Sequence, residues 1–80
     1  MTDAELTATI VAELRKVAPD TDPAALGPDQ GVREALEIDS FDFLNVLVGL
    51  HRALGVEVPE ADYGQLQTVG DMVRYFRARR

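Results

Sequence analysis

The most apolar run of the sequence, Phe41 to Leu54, constrains the fold more than any other feature. If this run is a helix, apolar side chains cover more than half of its circumference, which is more than packing against one neighbouring helix requires. Such a helix either lies among several others or keeps part of its surface for docking. A helical wheel predicts a core ridge of Phe43, Leu47, Leu50 and Leu54, a polar stripe of Asp42, Asn45, Gly49 and Arg52, and Phe41 and Val48 on the shoulder between them.

Three further helices are predicted around it. The first runs from about residue 3 to 17, because Thr2 and Glu5 form a capping box and Ala18-Pro19 stops the helical spacing of apolar residues. The run Ser40 to Leu54 is the second helix. A short third helix is predicted over about residues 60–66, and a fourth from Val69 to about residue 78.

The first two helices are separated by residues 18–38, a long connection rich in Pro, Gly and Asp. Within it we expect only a capped turn or short helix at Asp22 to Leu26. Leu26, Val32, Leu36 and Ile38 are predicted to fold inward and hold the connection on the core. The sequence therefore predicts an all-α fold, a four-helix bundle in one domain over residues 1–80, with a long loop between helices one and two and a short third helix.

Composition excludes several classes of function. The chain has no cysteine, so it can form neither a disulfide framework nor a thiolate zinc site. Residues 1–66 contain 13 acidic and four basic residues, a charge of −9, whereas Asp71 and four arginines give the last 14 residues +3. An acidic body repels nucleic acid, which disfavours a helix-turn-helix DNA-binding protein, and attracts basic protein surfaces. We expect no metal site, no membrane insertion, a stand-alone monomer and a cytoplasmic location.

Ser40 is the candidate functional residue. Asp39 is predicted to cap the second helix, with Asp42 as the capping-box carboxylate, so Ser40 lies beside free backbone N–H groups at the positive end of the helix dipole. This position suits a phosphate group. Serine-hydrolase chemistry is excluded, because His51, the only histidine, is eleven positions away, roughly 16 Å along the helix.

The sequence Asp39-Ser40-Phe41 resembles the Asp-Ser-Leu motif of acyl carrier proteins. The similarity extends over about residues 32–76. Val58-Pro59-Glu60 resembles the family's opening of the third helix, and Thr68-Val69 resembles its entry into the last helix, with Tyr75 near the end.

This resemblance implies a carrier and not an enzyme. Ser40 would receive 4′-phosphopantetheine from coenzyme A through a phosphopantetheinyl transferase, and the thiol of this arm would hold acyl groups as thioesters. Asp39 is either a simple N-cap, a contact for the magnesium ion and the transferase, or both. The family's acyl cleft between helices two and three would here be lined by Phe43, Leu47, Val58, Tyr63, Leu66 and Val69.

The resemblance also implies partner enzymes that load, condense or transfer the acyl group. The residues expected to contact them are Asp39, Phe41, Asp42, Asn45, Val48 and Arg52. The second helix is less acidic than in fatty-acid carriers, and Phe41 replaces the family's leucine. We therefore expect a specialised fatty-acid, polyketide or lipid pathway. The alternatives are an unmodified helical interaction domain, or an aminoacyl or peptidyl carrier, against which Ile38-Asp39 argues.

Overall fold

The computed structural model describes residues 1–79, and Arg80 lies outside the described part of the chain. Over these residues the fold is all-α, as predicted, with no strand among them beyond an isolated bridge between Gly31 and Thr68. The elements in chain order are α1 (Asp3–Val17), a 3-10 turn (Pro23–Ala25), α2 (Val32–Leu36), α3 (Ser40–Leu54), a 3-10 helix (Glu60–Gln65) and α4 (Val69–Arg79).

The long predicted helices are confirmed, and the expected capping is visible at two of them. At α1 the Thr2 N–H donates to Glu5 Oε1 at 2.8 Å and the Glu5 N–H donates to Thr2 Oγ1 at 3.1 Å. The first of these bonds, from the backbone of Thr2, is the largest cause of a lowered pKa at Glu5. Thr68 and Asp71 make the same reciprocal pair of bonds at the start of α4.

The connection between the first two predicted helices is more ordered than the sequence indicated. It contains α2, a five-residue helix that the sequence did not predict, as well as the expected short turn at Pro23–Ala25. Five residues are too few to display a helical period. Tertiary contacts hold α2 in place, because Val32 is fully buried and its N–H donates to the Gln67 carbonyl oxygen at 2.8 Å. Leu36 and Ile38 are also buried, and Leu26 is half-buried.

The core lies where α1 packs against α3 and α4. Its fully buried side chains include Leu6, Ile10 and Leu14 of α1, Leu50 of α3, and Met72 and Phe76 of α4. The predicted ridge of α3 is confirmed, and the structure adds Val46 to it. The third predicted helix is present but has 3-10 geometry, and none of its residues is fully buried.

A left-handed turn joins α2 to α3. Glu37, the residue after α2, has φ 55° and ψ 41°, and it is the only non-glycine residue with positive φ in residues 1–79. Its exposed side chain lies between the buried side chains of Leu36 and Ile38. The conformation costs an L-residue about 1–2 kcal/mol, which glycine does not incur.

We predict that Glu37→Gly stabilises the protein. The free energy of unfolding should rise by about 0.5–1 kcal/mol, because relief of the left-handed strain exceeds the added entropy of the unfolded chain. Urea denaturation measures it. Glu57→Gly is the matched control, since Glu57 is also exposed but has no positive φ, and that change should lower stability or leave it unaltered. A Glu37→Gly protein less stable than the parent would contradict the prediction.

Candidate functional site

Ser40 is the first residue of α3, and its side chain is exposed. The preceding residue, Asp39, is the N-cap as predicted: its Oδ1 accepts a hydrogen bond of 2.8 Å from the Asp42 N–H. The predicted return bond from the Asp39 N–H to the Asp42 carboxylate is absent from the described structure, so this cap is only half of a capping box. The backbone N–H groups of Ser40 and Phe41 have no acceptor within the helix.

A depression of about 430 Å³ opens beside Ser40. A second depression of about 240 Å³ lies between α2, the start of α3 and the 3-10 helix Glu60–Gln65. Both are lined by Arg33, Phe43 and Tyr63, so the depression beside Ser40 adjoins the second depression, which we call the cleft. The cleft is completed by Glu34, Gly64, Leu66 and Gln67.

The structure brings three of the six predicted acyl-cleft residues together. Phe43, Tyr63 and Leu66 line the cleft, and the rings of Phe43 and Tyr63 meet edge to face with centroids 6.2 Å apart. Leu47 is buried in the core, and Val58 packs against it.

Val69 does not line the cleft in this structure. It lines depressions on another side of the molecule, together with Thr7 and Leu26. The physical reason is that Val69 belongs to the first turn of α4, a helix that packs against α1.

Sequence reasoning missed Arg33, Glu34, Gly64 and Gln67 as lining residues. Arg33 and Glu34 belong to α2, the helix that had no recognisable period. The guanidinium of Arg33 lies over the Phe43 ring, 5.6 Å from its centroid. No local signal in the sequence pairs these two residues, because they are ten positions apart on different helices.

The 3-10 helix that forms one wall of the cleft is fastened to α4 by polar contacts. The Tyr75 hydroxyl donates a hydrogen bond of 2.7 Å to Asp62 Oδ2, and Arg79 lies 3.7 Å from the same oxygen. Burial, followed by this hydrogen bond, raises the pKa of Tyr75. The 3-10 helix is therefore joined to α4 through Asp62 and to α3 through the contact of Tyr63 with Phe43.

The exposed surface of α3 carries the other predicted recognition residues. Phe41 and Val48, both predicted, are 70% and 43% exposed. Leu44, which the sequence analysis did not single out, is 42% exposed, and we call these three side chains the α3 ridge. Asn45 and Arg52 are exposed, and Asp42 is half-buried. An apolar row that a small protein leaves in water is typical of a contact surface.

One residue of the predicted polar stripe turns out to face α1. Gly49 is half-buried, and the Glu13 carboxylate of α1 lies against it in the space that a Cβ would occupy. Glu13 is paired with Lys16 at 2.9 Å. The stripe is therefore divided, with Asn45 and Arg52 free at the surface and Gly49 in the α1–α3 contact.

Comparison with known proteins agrees with this arrangement. The family described as "Phosphopantetheine attachment site" matches residues 5–76, which is most of the chain. The chain belongs to the acyl carrier protein family. The prosthetic group of this family is 4′-phosphopantetheine, as the resemblance in the sequence implied.

The chain is also similar in sequence to individual acyl carrier proteins. The chain is 32% identical over 71 residues to the acyl carrier protein of Rhodococcus erythropolis, covering 85% of this chain and 78% of that protein. It is 31% identical over 67 residues to the meromycolate extension acyl carrier protein of Mycobacterium tuberculosis, covering 84% of this chain. This chain spans only 58% of the length of that relative.

Two further properties concern the described residues as a whole. None of the helices within residues 1–79 combines the length and apolar character needed to cross a lipid bilayer. The same residues contain no group of three or more His, Asp or Glu side chains placed to hold a metal ion.

We predict that the carrier depends on Asp39 for stability through its hydrogen bond and not through its charge. Asp39→Ala should lower the free energy of unfolding by about 1 kcal/mol, because the Asp42 N–H loses its acceptor. Asp39→Asn retains an acceptor of the same shape and should stay within about 0.5 kcal/mol of the parent. Chemical denaturation of the three proteins tests this. Equal destabilisation by both substitutions would show that charge, not capping, is what matters.

Proposed function

We propose that Ser40 is the attachment residue of this acyl carrier and receives 4′-phosphopantetheine from coenzyme A. In this step the Ser40 hydroxyl loses its proton and its oxygen forms the ester bond to phosphorus. The pyrophosphate bond of coenzyme A breaks, and the nucleotide half leaves. The arm supplies a terminal thiol for thioester formation, which the chain cannot provide because it has no cysteine.

The observation that carries this proposal is the position of Ser40. Its side chain is exposed at the first residue of a 15-residue helix and borders a depression that shares Arg33, Phe43 and Tyr63 with the adjoining cleft. A transferase can approach such a hydroxyl without unfolding any element. The free N–H groups at the start of α3 favour a negatively charged phosphodiester. These features of Ser40, Phe41 and the adjoining depression fit the group.

Asp39 is proposed to have two roles, one for each of its carboxylate oxygens. One oxygen accepts the capping hydrogen bond from the Asp42 N–H. The side chain as a whole is exposed, so the other oxygen is free to contact the magnesium ion and the transferase during loading. Both functions expected from the sequence are therefore compatible in one residue.

The cleft is proposed to receive the apolar part of the acyl group. Phe43, Tyr63 and Leu66 present apolar surface there, and burial stabilises a bound chain by about 0.8 kcal/mol per methylene group. Leu47 and Val58 lie behind this surface, in and against the core. Cargo that binds the folded state alone also stabilises the carrier through linkage.

Partner enzymes are proposed to dock on the α3 ridge, Phe41, Leu44 and Val48. The ridge begins next to Ser40, so an enzyme bound to it has the attachment site within reach. Asp42, Asn45 and Arg52 border the ridge with polar groups of mixed charge. Their contacts orient a partner, and the apolar ridge supplies most of the buried area.

The cognate pathway is proposed to be a specialised fatty-acid, polyketide or lipid pathway. Asp42 is the only acidic residue in α3, whereas His51 and Arg52 lie in its last turn. Basic docking surfaces of fatty-acid synthase enzymes are therefore attracted weakly. The similarity to meromycolate extension carriers is consistent with lipid assembly of this kind.

Loading of Ser40 is tested by intact mass. Incubation with coenzyme A, magnesium and a broad-specificity phosphopantetheinyl transferase should add one phosphopantetheine to the parent and none to Ser40→Ala. The free energy of unfolding of Ser40→Ala should lie within about 0.5 kcal/mol of that of the parent, since the side chain is exposed. An unmodified parent protein would identify the chain as an interaction domain instead. Slower loading of Asp39→Asn would assign its carboxylate to the loading step.

The pathway is tested in cells that lack their housekeeping fatty-acid carrier. We expect this protein, expressed together with an active transferase, not to restore growth, because α3 lacks the acidic surface that fatty-acid enzymes bind. Immunoblotting and intact mass must show that the expressed protein is present and loaded. Restored growth would rule out a specialised role.

A further inference from the structure

Arg33 differs from most cationic residues of the described chain because it has no carboxylate partner. Five side chains, those of Arg15, Lys16, Arg74, Arg77 and Arg79, each lie within 4 Å of an acidic oxygen. In residues 1–79, the arginines that make no such pair are Arg33 and Arg52. In a protein with 14 acidic residues, an arginine without a partner is available for another anion.

The position of Arg33 is defined by neighbours other than carboxylates. Its guanidinium lies 5.6 Å from the centroid of the Phe43 ring, within the range of a cation–π contact. The adjacent acid, Glu34, does not neutralise it, because the Glu34 carboxylate lies against Gly31. Arg33 is exposed, so its remaining N–H donors face the solvent.

Within residues 1–79, Arg33 is also the only cationic residue that lines the depression beside Ser40. The acid in that lining is Glu60, and Asp39 and Asp42 flank Ser40 along the chain. A phosphodiester on Ser40 would lie among these carboxylates, each of which repels it. Arg33 provides the opposite charge on the side that leads to the cleft, since it lines both depressions.

We propose that Arg33 binds the phosphodiester of the arm on Ser40 and directs the arm along Phe43 and Tyr63 into the cleft. The planar fork of the guanidinium suits two parallel hydrogen bonds to the phosphate oxygens. Contact with the Phe43 ring keeps the side chain oriented before the phosphate arrives. Arg33 is a positioning residue in this proposal, which rests on the attachment of the arm to Ser40.

A thermodynamic cycle tests the contact. The parent and Arg33→Gln are each prepared without the arm and with it, and urea denaturation gives four unfolding equilibrium constants. A purely structural role of Arg33 on Phe43 alters the unloaded and loaded proteins equally. If Arg33 binds the phosphodiester, Arg33→Gln should raise the unfolding equilibrium constant of the loaded protein about two- to fivefold more than that of the unloaded protein. An equal effect in both forms would overturn the proposal.

Two comparisons make the cycle specific. Arg52→Gln removes the same charge from the other unpaired arginine, which borders a different groove with Glu13 and Lys16, and it should show no excess effect after loading. In 1 M salt, where the screening length falls to about 3 Å, the excess for Arg33→Gln should largely disappear. An equal excess for Arg52→Gln would indicate a general charge effect and overturn the assignment to Arg33.

The anion bound by Arg33 has two chemical sources, the phosphodiester and a carboxylate on the cargo. Side-chain NMR of the Arg33 Nε–H group separates them in unloaded protein, in protein with the free-thiol arm, and in protein with butyryl or succinyl cargo. A shift that appears with the free-thiol arm supports the proposal. A shift only with succinyl cargo would overturn it. Failure of Ser40 to load at all would overturn the proposed function as well, whereas loading without a shift overturns this inference alone.

Discussion

The turn between α2 and α3 is the constraint on which the site depends. Leu36 and Ile38 are both buried, and the left-handed Glu37 between them lets both side chains point inward. Burial of each side chain contributes about 1.5–3 kcal/mol, which exceeds the roughly 1–2 kcal/mol that the conformation of Glu37 costs. Asp39 then caps α3 immediately after Ile38. Ile38 is buried in the core and α3 begins two residues later, so the side chain of Ser40 lies at the exposed start of the helix.

Helix α3 carries apolar side chains on both its inner and its outer face. Its inner face contributes Phe43, Leu47 and Leu50 to the core, whereas its outer face leaves an apolar ridge in water. The cleft lies where the inner face meets the 3-10 helix, whose side chains are at most partly buried. This wall is held by the hydrogen bond between Tyr75 and Asp62 and by the packing of Tyr63 on Phe43.

Most cationic side chains of residues 1–79 pair with acidic side chains at the surface of the bundle. Arg77 pairs with Asp3 of α1 at 2.7 Å, and Arg79 both approaches Asp62 and lies over the Tyr75 ring. Two of the arginines near the end of the sequence, Arg77 and Arg79, thereby pair with acidic groups of other elements, and Arg74 pairs with Asp71 within α4. Positive charge beside Ser40 comes instead from Arg33, on a helix of five residues.

Local sequence determined the long helices and their caps, and so placed Ser40 at the start of α3, because helical period and capping depend on residues within four positions of each other. The helix Ser40 to Leu54 and the Thr2–Glu5 box were predictable for this reason. The acyl carrier family was predictable from three separate motifs, which begin at Asp39, Val58 and Thr68. Tertiary structure alone decided the existence of α2, the contact of Arg33 with Phe43, the placement of Gly49 against Glu13, and the removal of Val69 from the cleft. Each of these depends on how separate elements approach one another, and a short helix or a single side chain carries no periodic signal of its neighbours.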